Sequence, residues 1–293
     1  MKGRSLGLVF LLALLWGSSY PQFKIGVETI PPLTLGALRA FFGGLLLLML
    51  LGRQAPALWR SGIPLHSWLA QALFNCVVPW ILIAWAVQTI DSSLATVLNS
   101  LSPIFTFLLT WAVTRHEPAT ARKFVGVLLG LAGVIVIIGI DALSGIGKHT
   151  MAEIACVLGS VAYAIAAIIG RRFASFSPLV PAAGSTLIAA AIMIPLALVV
   201  EHPWNLQPSM RSLLAVAGLT VFSTVAALIV YFRLLATVGS IGTTAQAYLR
   251  ILVGVGFGVL LLDEKLPASL VAGIVLVVSG VIAMTMPARR LRP

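Results

Sequence analysis

The chain has 293 residues, of which 60% are hydrophobic and 9% are charged, and its formal net charge is +11. A soluble globular domain carries about 25% charged residues, so this composition excludes that class and predicts an integral membrane protein. The Lys and Arg residues fall at the ends of apolar runs and form no patterned basic helix, which argues against a nucleic-acid-binding protein. Two cysteines within apolar runs and four scattered histidines predict neither disulfides nor a metal site.

Ten apolar segments follow one another along the chain. The first comes after two early cations and resembles a signal peptide, but the nine segments behind it favour a first transmembrane helix. Since about 20 apolar residues cross a bilayer, the predicted helices run over residues 5–23, 33–51, 67–89, 93–114, 122–140, 151–170, 179–199, 211–235, 241–262 and 268–286. The short, Gly- and Pro-rich connections leave no room for a soluble domain. The sequence therefore predicts an all-α integral membrane protein with one membrane domain, residues 1–293.

The basic residues predict how these helices are oriented. With a cytoplasmic N-terminus, the cytoplasmic side holds twelve Lys and Arg residues, which are Lys2, Arg4, Arg53, Arg60, Arg115, Arg122, Lys123, Arg171, Arg172, Arg289, Arg290 and Arg292. The opposite side holds four, which are Lys24, Lys148, Arg211 and Lys265. By the positive-inside rule, both termini are expected in the cytoplasm. Arg39, Arg233 and Arg250 remain inside apolar runs.

The two halves of the sequence align without gaps after a shift of 147 residues. The pairs brought into register are similar in character, as in Trp16 and Tyr163, Asn99 and Gln246, and Gly126 and Gly273. Each half, 1–146 and 148–293, contains five predicted helices, and an odd number inserts the second half in the opposite orientation. Inverted repeats are typical of alternating-access transporters that bind substrate near the bilayer midplane. A duplicated scaffold without transport is the alternative.

Three stretches resemble a known family: LLWGSSYPQFKIG in the first helix, LNSLSPIFTFLLTWAVTRHEPATARKFVGVLLGLAGVIVI closing the first half, and LLLDEKLPASLVAGIVLVVSGVIA closing the second. They are similar to the EamA repeats of the drug/metabolite transporter superfamily, in its amino-acid and metabolite exporter group. The resemblance covers essentially the whole chain. It implies ten transmembrane helices as two inverted five-helix repeats around a central cavity, in the bacterial inner membrane, and export of amino acids or other small metabolites.

The resemblance also locates individual residues. Glu117 and Glu264 match the acidic residue that ends the fourth and ninth helices of the repeat, and their polar loops indicate a role in fixing helix ends. Pro103 matches the proline of the fourth helix. The ninth helix departs from the family pattern, because Ile251 stands where a proline often follows a Tyr-Leu-X triplet. Arg250 also departs, since the family's residue at that position is often acidic or uncharged.

Polar residues at helical spacing form one face of the ninth helix. This face consists of Thr243, Gln246, Arg250, Gly254 and Phe257. The equivalent face of the fourth helix consists of Thr96, Asn99, Pro103, Phe107 and Thr110. Amides and hydroxyls in hydrocarbon need partners, so both faces are expected to point inward, onto a cavity or onto neighbouring helices. An arginine inside a span costs about 2.5–3.5 kcal/mol on insertion scales, which marks Arg250 as a candidate substrate ligand.

Aromatic residues at equivalent positions of the two halves add candidate cavity walls. Trp16 and Tyr163 lie midway along the first and sixth helices, and Trp85 lies in the third, with Trp80 nearby. Arg39 is a second cationic candidate, and its alternative role is to bind helix-end carbonyls. The GVLLG motif beginning at Gly126 predicts close helix packing.

Features that are missing from the sequence narrow the function further. All eight acidic residues lie at or near span ends, and a proton-coupled exporter of organic cations would need a buried acid. No P-loop, nucleophile–base pair or metal-ligand spacing is present, so we expect neither an enzyme, nor an ATP-driven pump, nor a cofactor.

The sequence as a whole predicts a secondary transporter of small metabolites, amino acids above all, in the bacterial inner membrane. Transporters of sugar phosphates, nucleosides or drugs, and a membrane scaffold, are the alternatives. The expected partners are a small-molecule substrate and the lipid bilayer, without nucleic acid, and the expected state is a monomer or homodimer. The predicted substrate-binding residues are Arg250, Gln246, Asn99, Trp16, Tyr163, Trp85, Thr243, Thr96, Tyr248 and Arg39.

Overall fold

A computed structural model describes residues 3–58, 62–90, 92–138, 148–253 and 269–285. Within these ranges the regular structure is entirely helical. The helices are α1 (Gly3–Gly17), α2 (Ser19–Gly26), α3 (Pro32–Leu51), α4 (Leu65–Ala72), α5 (Val78–Ala86), α6 (Ser92–Asn99), α7 (Ser102–Leu109), α8 (Ala121–Ile138), α9 (Thr150–Gly170), α10 (Leu179–Val200), α11 (Met210–Gly218), α12 (Ala227–Thr244), α13 (246–253) and α14 (Ser269–Thr285).

Several of these helices join into longer apolar segments. Seven such segments in the described ranges are long and apolar enough to cross a membrane, and they are Ser5–Gly26, Pro32–Leu58, Leu65–Ala86, Leu94–Thr114, Thr150–Phe173, Leu179–Val200 and Met210–Thr244. The predicted all-helical membrane architecture is therefore confirmed. The count of ten crossings stays a prediction, because parts of the fifth and ninth helices, with Gly254, Phe257 and Glu264, lie outside the described residues.

The first predicted helix is interrupted at Ser18, between α1 and α2. The cause is Pro21, which has no N–H to offer the carbonyl of Gly17. Neighbouring polar side chains bond to the backbone around the interruption, with Ser19 donating to the Trp16 carbonyl at 2.6 Å and Gln22 donating to the Ser18 carbonyl at 2.9 Å. The first helix is therefore divided into α1 and α2 at this point.

Three segments of the described chain contain a π-helical turn, at Leu73–Val77, Thr110–Thr114 and Leu219–Ala226. The first turn, shifted by 147 residues, falls within the third. One extra residue in a helical turn rotates everything after it by about 100° around the helix axis. The sequence periodicity gave no sign of these turns, and they decide which side chains reach the interior.

The most extensive helix–helix contacts join α3 to α10 and α8 to α14. Each of these pairs consists of helices at equivalent positions of the two sequence halves. Between α8 and α14 the backbones approach so closely that a Cβ built on Gly126 would lie 2.8 Å from the Gly280 carbonyl oxygen. A Cβ built on Gly133 would lie 2.8 Å from the Gly273 carbonyl oxygen, and the shift of 147 residues exchanges these two contacts. The close packing predicted for the GVLLG motif is confirmed at Gly126, and Gly133, Gly273 and Gly280 take part in the same crossing.

A break within α12 is stabilised by side chains from the loop between α7 and α8. Gly239 has φ +82°, so the helix is discontinuous there and the N–H groups that follow need partners. Glu117 accepts a hydrogen bond from the Ile241 N–H at 2.8 Å, and His116 contacts the Ser240 hydroxyl at 3.0 Å. Lys123 lies 3.8 Å from the same Glu117 carboxylate. The helix-end role predicted for Glu117 is thus confirmed.

Candidate functional site

Arg250 lies in α13 and is only 4% exposed. Its Nη1 donates to the Tyr20 hydroxyl at 3.0 Å, and its Nη2 donates to Asn99 Oδ1 at 3.1 Å. Its Nε has no hydrogen-bond partner, and none of the ion pairs among the described residues involves it. A buried guanidinium is therefore held by neutral oxygens, with its positive charge uncompensated by a carboxylate of the described chain.

A small cavity borders this guanidinium. Its walls are formed by Trp16, Ser102, Tyr163, Tyr231, Thr244, Gln246 and Arg250. The volume is about 10 Å³, which is room for about one water molecule. The side-chain oxygen of Gln246 and the amide nitrogen of Asn99 are buried nearby without a hydrogen-bond partner. In this conformation the site is closed around a cation, unpaired amide groups and aromatic rings.

The aromatic wall of the cavity is a cluster centred on Trp16. The ring of Trp16 stacks on Tyr163, with centroids 6.1 Å apart, and packs at an angle against Tyr231 at 5.3 Å. Trp16 and Tyr163, both predicted as cavity walls, border the cavity, and their contact with a substrate stays a prediction. Tyr231 is not among the predicted site residues.

The π-helical turn Leu219–Ala226 fixes the position of Trp16. Within it, the Ala227 N–H bonds to the carbonyls of Phe222 and Thr224 and skips that of Ser223. The Ser223 carbonyl instead accepts hydrogen bonds from the Trp16 indole at 3.0 Å and from Arg39 Nη2 at 2.9 Å. The π-helical turn thus leaves the Ser223 carbonyl free to orient Trp16 and Arg39, which belong to two other helices.

Arg39 is a second buried arginine, on α3. Its Nε donates to the Thr224 hydroxyl at 2.6 Å, and its guanidinium carbon lies 3.8 Å from the centre of a Trp80 ring. The alternative role expected for Arg39 was binding to helix-end carbonyls, and the carbonyl it binds lies instead in a π-helical turn. Tyr163 lies within electrostatic range of both Arg39 and Arg250. The two cations therefore act electrostatically on one tyrosine.

The fourth and ninth predicted helices meet at equivalent positions. The Ser100 hydroxyl donates to the carbonyl of Ala247, 147 residues later, at 3.1 Å. One residue earlier in each half, Asn99 and Gln246 both lie beside Arg250. Arg250 thus lies where the two halves of the chain touch.

Besides Asn99 and Arg39, whose contacts are given above, four predicted site residues do not line the cavity. Trp85 is 43% exposed on the outer surface, and the tryptophan of its helix that faces inward is Trp80. The two residues are five apart on a regular helix, which puts them about 140° apart around its axis. Tyr248 points away towards α8, where its hydroxyl donates to the Val127 carbonyl at 3.1 Å.

The other two residues, Thr243 and Thr96, take part in hydrogen bonds within their own helices. The Thr243 hydroxyl donates to the Gly239 carbonyl at 2.6 Å. Thr96 is half-buried one turn before Asn99, and its carbonyl accepts from Ser100. Neither threonine is among the residues that border the cavity.

Tyr20, Ser102 and Thr244 belong to the site, and the sequence reasoning did not select them. Tyr20 lies directly before Pro21, at what was read as the outer end of the first helix. A tyrosine hydroxyl in an apolar run needs a buried partner, and this was the available signal. Within the described residues there is no cluster of His, Cys, Asp or Glu that could hold a metal ion.

Comparison with known proteins agrees with this architecture. The EamA-like transporter family matches the chain twice, over residues 4–139 and 150–286. The chain is 28% identical to the "Uncharacterized inner membrane transporter YedA" of Escherichia coli over 261 residues, which are 86% of this chain and 82% of that protein. It is 22% identical to the "Uncharacterized transporter YoaV" of Bacillus subtilis, over 96% of both.

A solved crystal structure has the same fold, with a TM-score of 0.72, 22% sequence identity and 100% coverage of both chains. The resemblance of the sequence motifs to the drug/metabolite transporter superfamily is confirmed by the family match. The chain belongs to the EamA-like transporter family, and it is a multi-pass membrane transporter.

Proposed function

We propose that this protein is a secondary transporter of small carboxylate-bearing metabolites, amino acids above all, in the bacterial inner membrane. It exports or facilitates them by alternating access, without ATP, a cofactor or enzymatic chemistry. In this proposal the chain forms two inverted five-helix repeats, 1–146 and 148–293, with both termini cytoplasmic, and works as a monomer or homodimer.

The observation that carries the proposal is the charge of Arg250, which no carboxylate of the described residues compensates. A buried cation that lacks an opposite charge is costly, and in membrane segments such residues mark substrate or ion pathways. Arg250 borders a cavity with aromatic walls and has a free Nε donor. A substrate carboxylate would supply both the missing charge and the missing acceptor.

The size of the cavity and the helix contacts support alternating access. A volume of about 10 Å³ admits no metabolite, so loading would require the halves of the chain to separate on one side. The contacts at Gly126–Gly280 and Gly133–Gly273 are exchanged by the 147-residue shift, as a two-fold relation between inverted repeats would require. Rocking of one repeat against the other about such an axis would expose Arg250 to each side in turn.

Arg250→Gln tests the proposal in proteoliposomes. Because a hydrogen bond to a charged group contributes about 1.5–3 kcal/mol, we expect loss of roughly tenfold or more in apparent affinity for amino acids. Arg250→Lys keeps the charge without the two-pronged geometry and should retain part of the activity. Arg233→Gln is the matched control, since Arg233 is exposed on α12. Unchanged amino-acid transport by folded Arg250→Gln protein would refute the carboxylate receptor.

Arg39 favours a second candidate, transport of solutes with two negative charges, such as sugar phosphates. Two buried arginines act electrostatically on Tyr163, and no carboxylate among the described residues pairs with either. Competition separates the candidates: amino acids should displace a transported amino acid, and phosphorylated sugars should not. The reverse result would select the doubly charged class.

A further inference from the structure

A second group of unpaired polar atoms lies in the interior, apart from Arg250. Both side-chain polar atoms of Gln71, the Oδ1 of Asn75 and the hydroxyl of Tyr231 are buried without a partner in good hydrogen-bond geometry, although Gln71 and Tyr231 lie close enough to interact with each other. Gln71 and Asn75 are 0% and 1% exposed. Buried polar groups in proteins nearly always have a hydrogen-bond partner, so several poorly paired polar atoms in one place indicate that a partner is missing.

Tyr231 connects these atoms to the cavity. It lines the cavity and packs against Trp16 on one side, and the side chain of Gln71 lies next to its hydroxyl on the other. Gln71 lies at the end of α4, against Gly170 of α9, where a Cβ on Gly170 would lie 3.5 Å from Gln71 Oε1. Asn75 follows one turn later, inside the π-helical turn Leu73–Val77.

The geometry of this segment keeps the amides unpaired. Within the π-helical turn the Val78 N–H bonds to the Leu73 carbonyl, five residues back, so the helix is widened at Asn75. The Asn75 amide reaches only the Cys76 sulfur, at 4.0 Å. Apolar side chains of the same size would fill this space without unsatisfied groups, so packing alone gives no reason for two amides.

We propose that Gln71, Asn75 and Tyr231 form a second subsite, which binds a neutral hydrogen-bonding group of the transported molecule, such as a carboxamide or a hydroxyl. The inference rests on the proposed function: Arg250 would hold the carboxylate at one end, and this subsite would hold the other end.

The chemistry of the subsite excludes charged groups. An ammonium would find no carboxylate among the described residues, and Cys76, the neighbour of Asn75, lies within electrostatic range of the Arg39 cation. A second carboxylate would leave the Gln71 and Asn75 oxygens without a donor. A carboxamide or hydroxyl both donates and accepts, and therefore matches the orphan atoms, which include both donors and acceptors.

The test compares two probes that share one head group. L-glutamine carries a terminal carboxamide, and L-norleucine has an apolar chain of similar length. We expect wild-type proteoliposomes to take up glutamine with the lower KM. Because one neutral hydrogen bond contributes about 1 kcal/mol, Tyr231→Phe and Gln71→Leu should each raise the KM for glutamine by about fivefold and leave that for norleucine within about twofold.

Gln54→Leu is the matched control, since Gln54 is exposed in the short 3-10 helical segment Gly52–Leu58, and it should change neither KM. Tyr231→Phe removes only one oxygen atom, so the KM comparison can still be made with this variant if Gln71→Leu does not fold. Equal KM changes for both probes, or no wild-type preference for glutamine, would overturn the subsite alone. Absence of flux for both probes in wild type would overturn the proposed function, and this inference with it.

Discussion

Two arginines lie in the apolar interior, and their surroundings differ. Arg39 has a hydroxyl, a backbone carbonyl and the face of Trp80 around its guanidinium. Arg250 has two neutral oxygens and an unpaired Nε beside a cavity. A cation over an indole ring is partly compensated by the ring's quadrupole. Arg39 is therefore the better satisfied of the two within the protein, and Arg250 is the one that a ligand would complete.

Thr224→Val is expected to destabilise the protein through Arg39. Valine has nearly the shape of threonine, but it removes the oxygen that accepts from Arg39 Nε and leaves a buried charged donor unpaired. The expected loss is about 1–3 kcal/mol, measured as a lower apparent Tm in detergent. Thr237→Val is the control, because the Thr237 hydroxyl bonds to its own helix on the surface. A Tm equal to wild type would mean that Thr224 does not stabilise Arg39.

At the scale of helices, the apolar segments and the glycine pattern were predictable, and the turns inside the helices were not. Hydropathy requires only that about 20 residues be apolar, so the spans follow from composition. A π-helical turn depends on carbonyls that find partners in other helices, as Ser223 does with Trp16 and Arg39. Such partners are not visible in local sequence.

Only one of two tryptophans in the third span faces inward. The repeat alignment favoured Trp85 as a cavity wall. Residues five apart lie about 140° apart around a helix, and it is Trp80 that faces Arg39 while Trp85 is exposed. Trp16, Tyr163 and Gln246, which the repeat and the polar face of the ninth helix selected, do border the cavity.

Gly280→Ala is expected to separate α8 from α14. A Cβ at this position would lie 2.6 Å from the Gly126 carbonyl oxygen and 2.6 Å from the Gly130 backbone nitrogen, and backbone atoms cannot move aside. Overpacking of this kind costs about 1–3 kcal/mol, measured as a lower apparent Tm and as weaker flux. Gly7→Ala is the control within the same chain, since nothing lies within 4 Å of its Cβ. Equal stability of the two variants would contradict the close crossing.

At the scale of the molecule, the orientation of the chain in the membrane can be measured by cysteine labelling. Both native cysteines are buried, so the labelling of a single introduced cysteine can be measured without background from them. Gln54 and Asn205 are both exposed, and the distribution of basic residues puts their loops on opposite sides. We expect a membrane-impermeant maleimide to label Asn205→Cys in intact cells and Gln54→Cys only after lysis. Labelling of Gln54→Cys in intact cells would reverse the orientation.

The π-helical turn shared by the third and eighth spans has a consequence for the history of the chain. The turn at Leu73–Val77 and the turn at Leu219–Ala226 coincide under a gapless shift of 147 residues. An extra residue inserted separately in each half would have had to arise twice at one position. We infer that the ancestral unit, which the family model matches twice along the chain, already carried it before duplication. After duplication the two copies diverged in use, since one turn now carries the Asn75 amide and the other presents the Ser223 carbonyl.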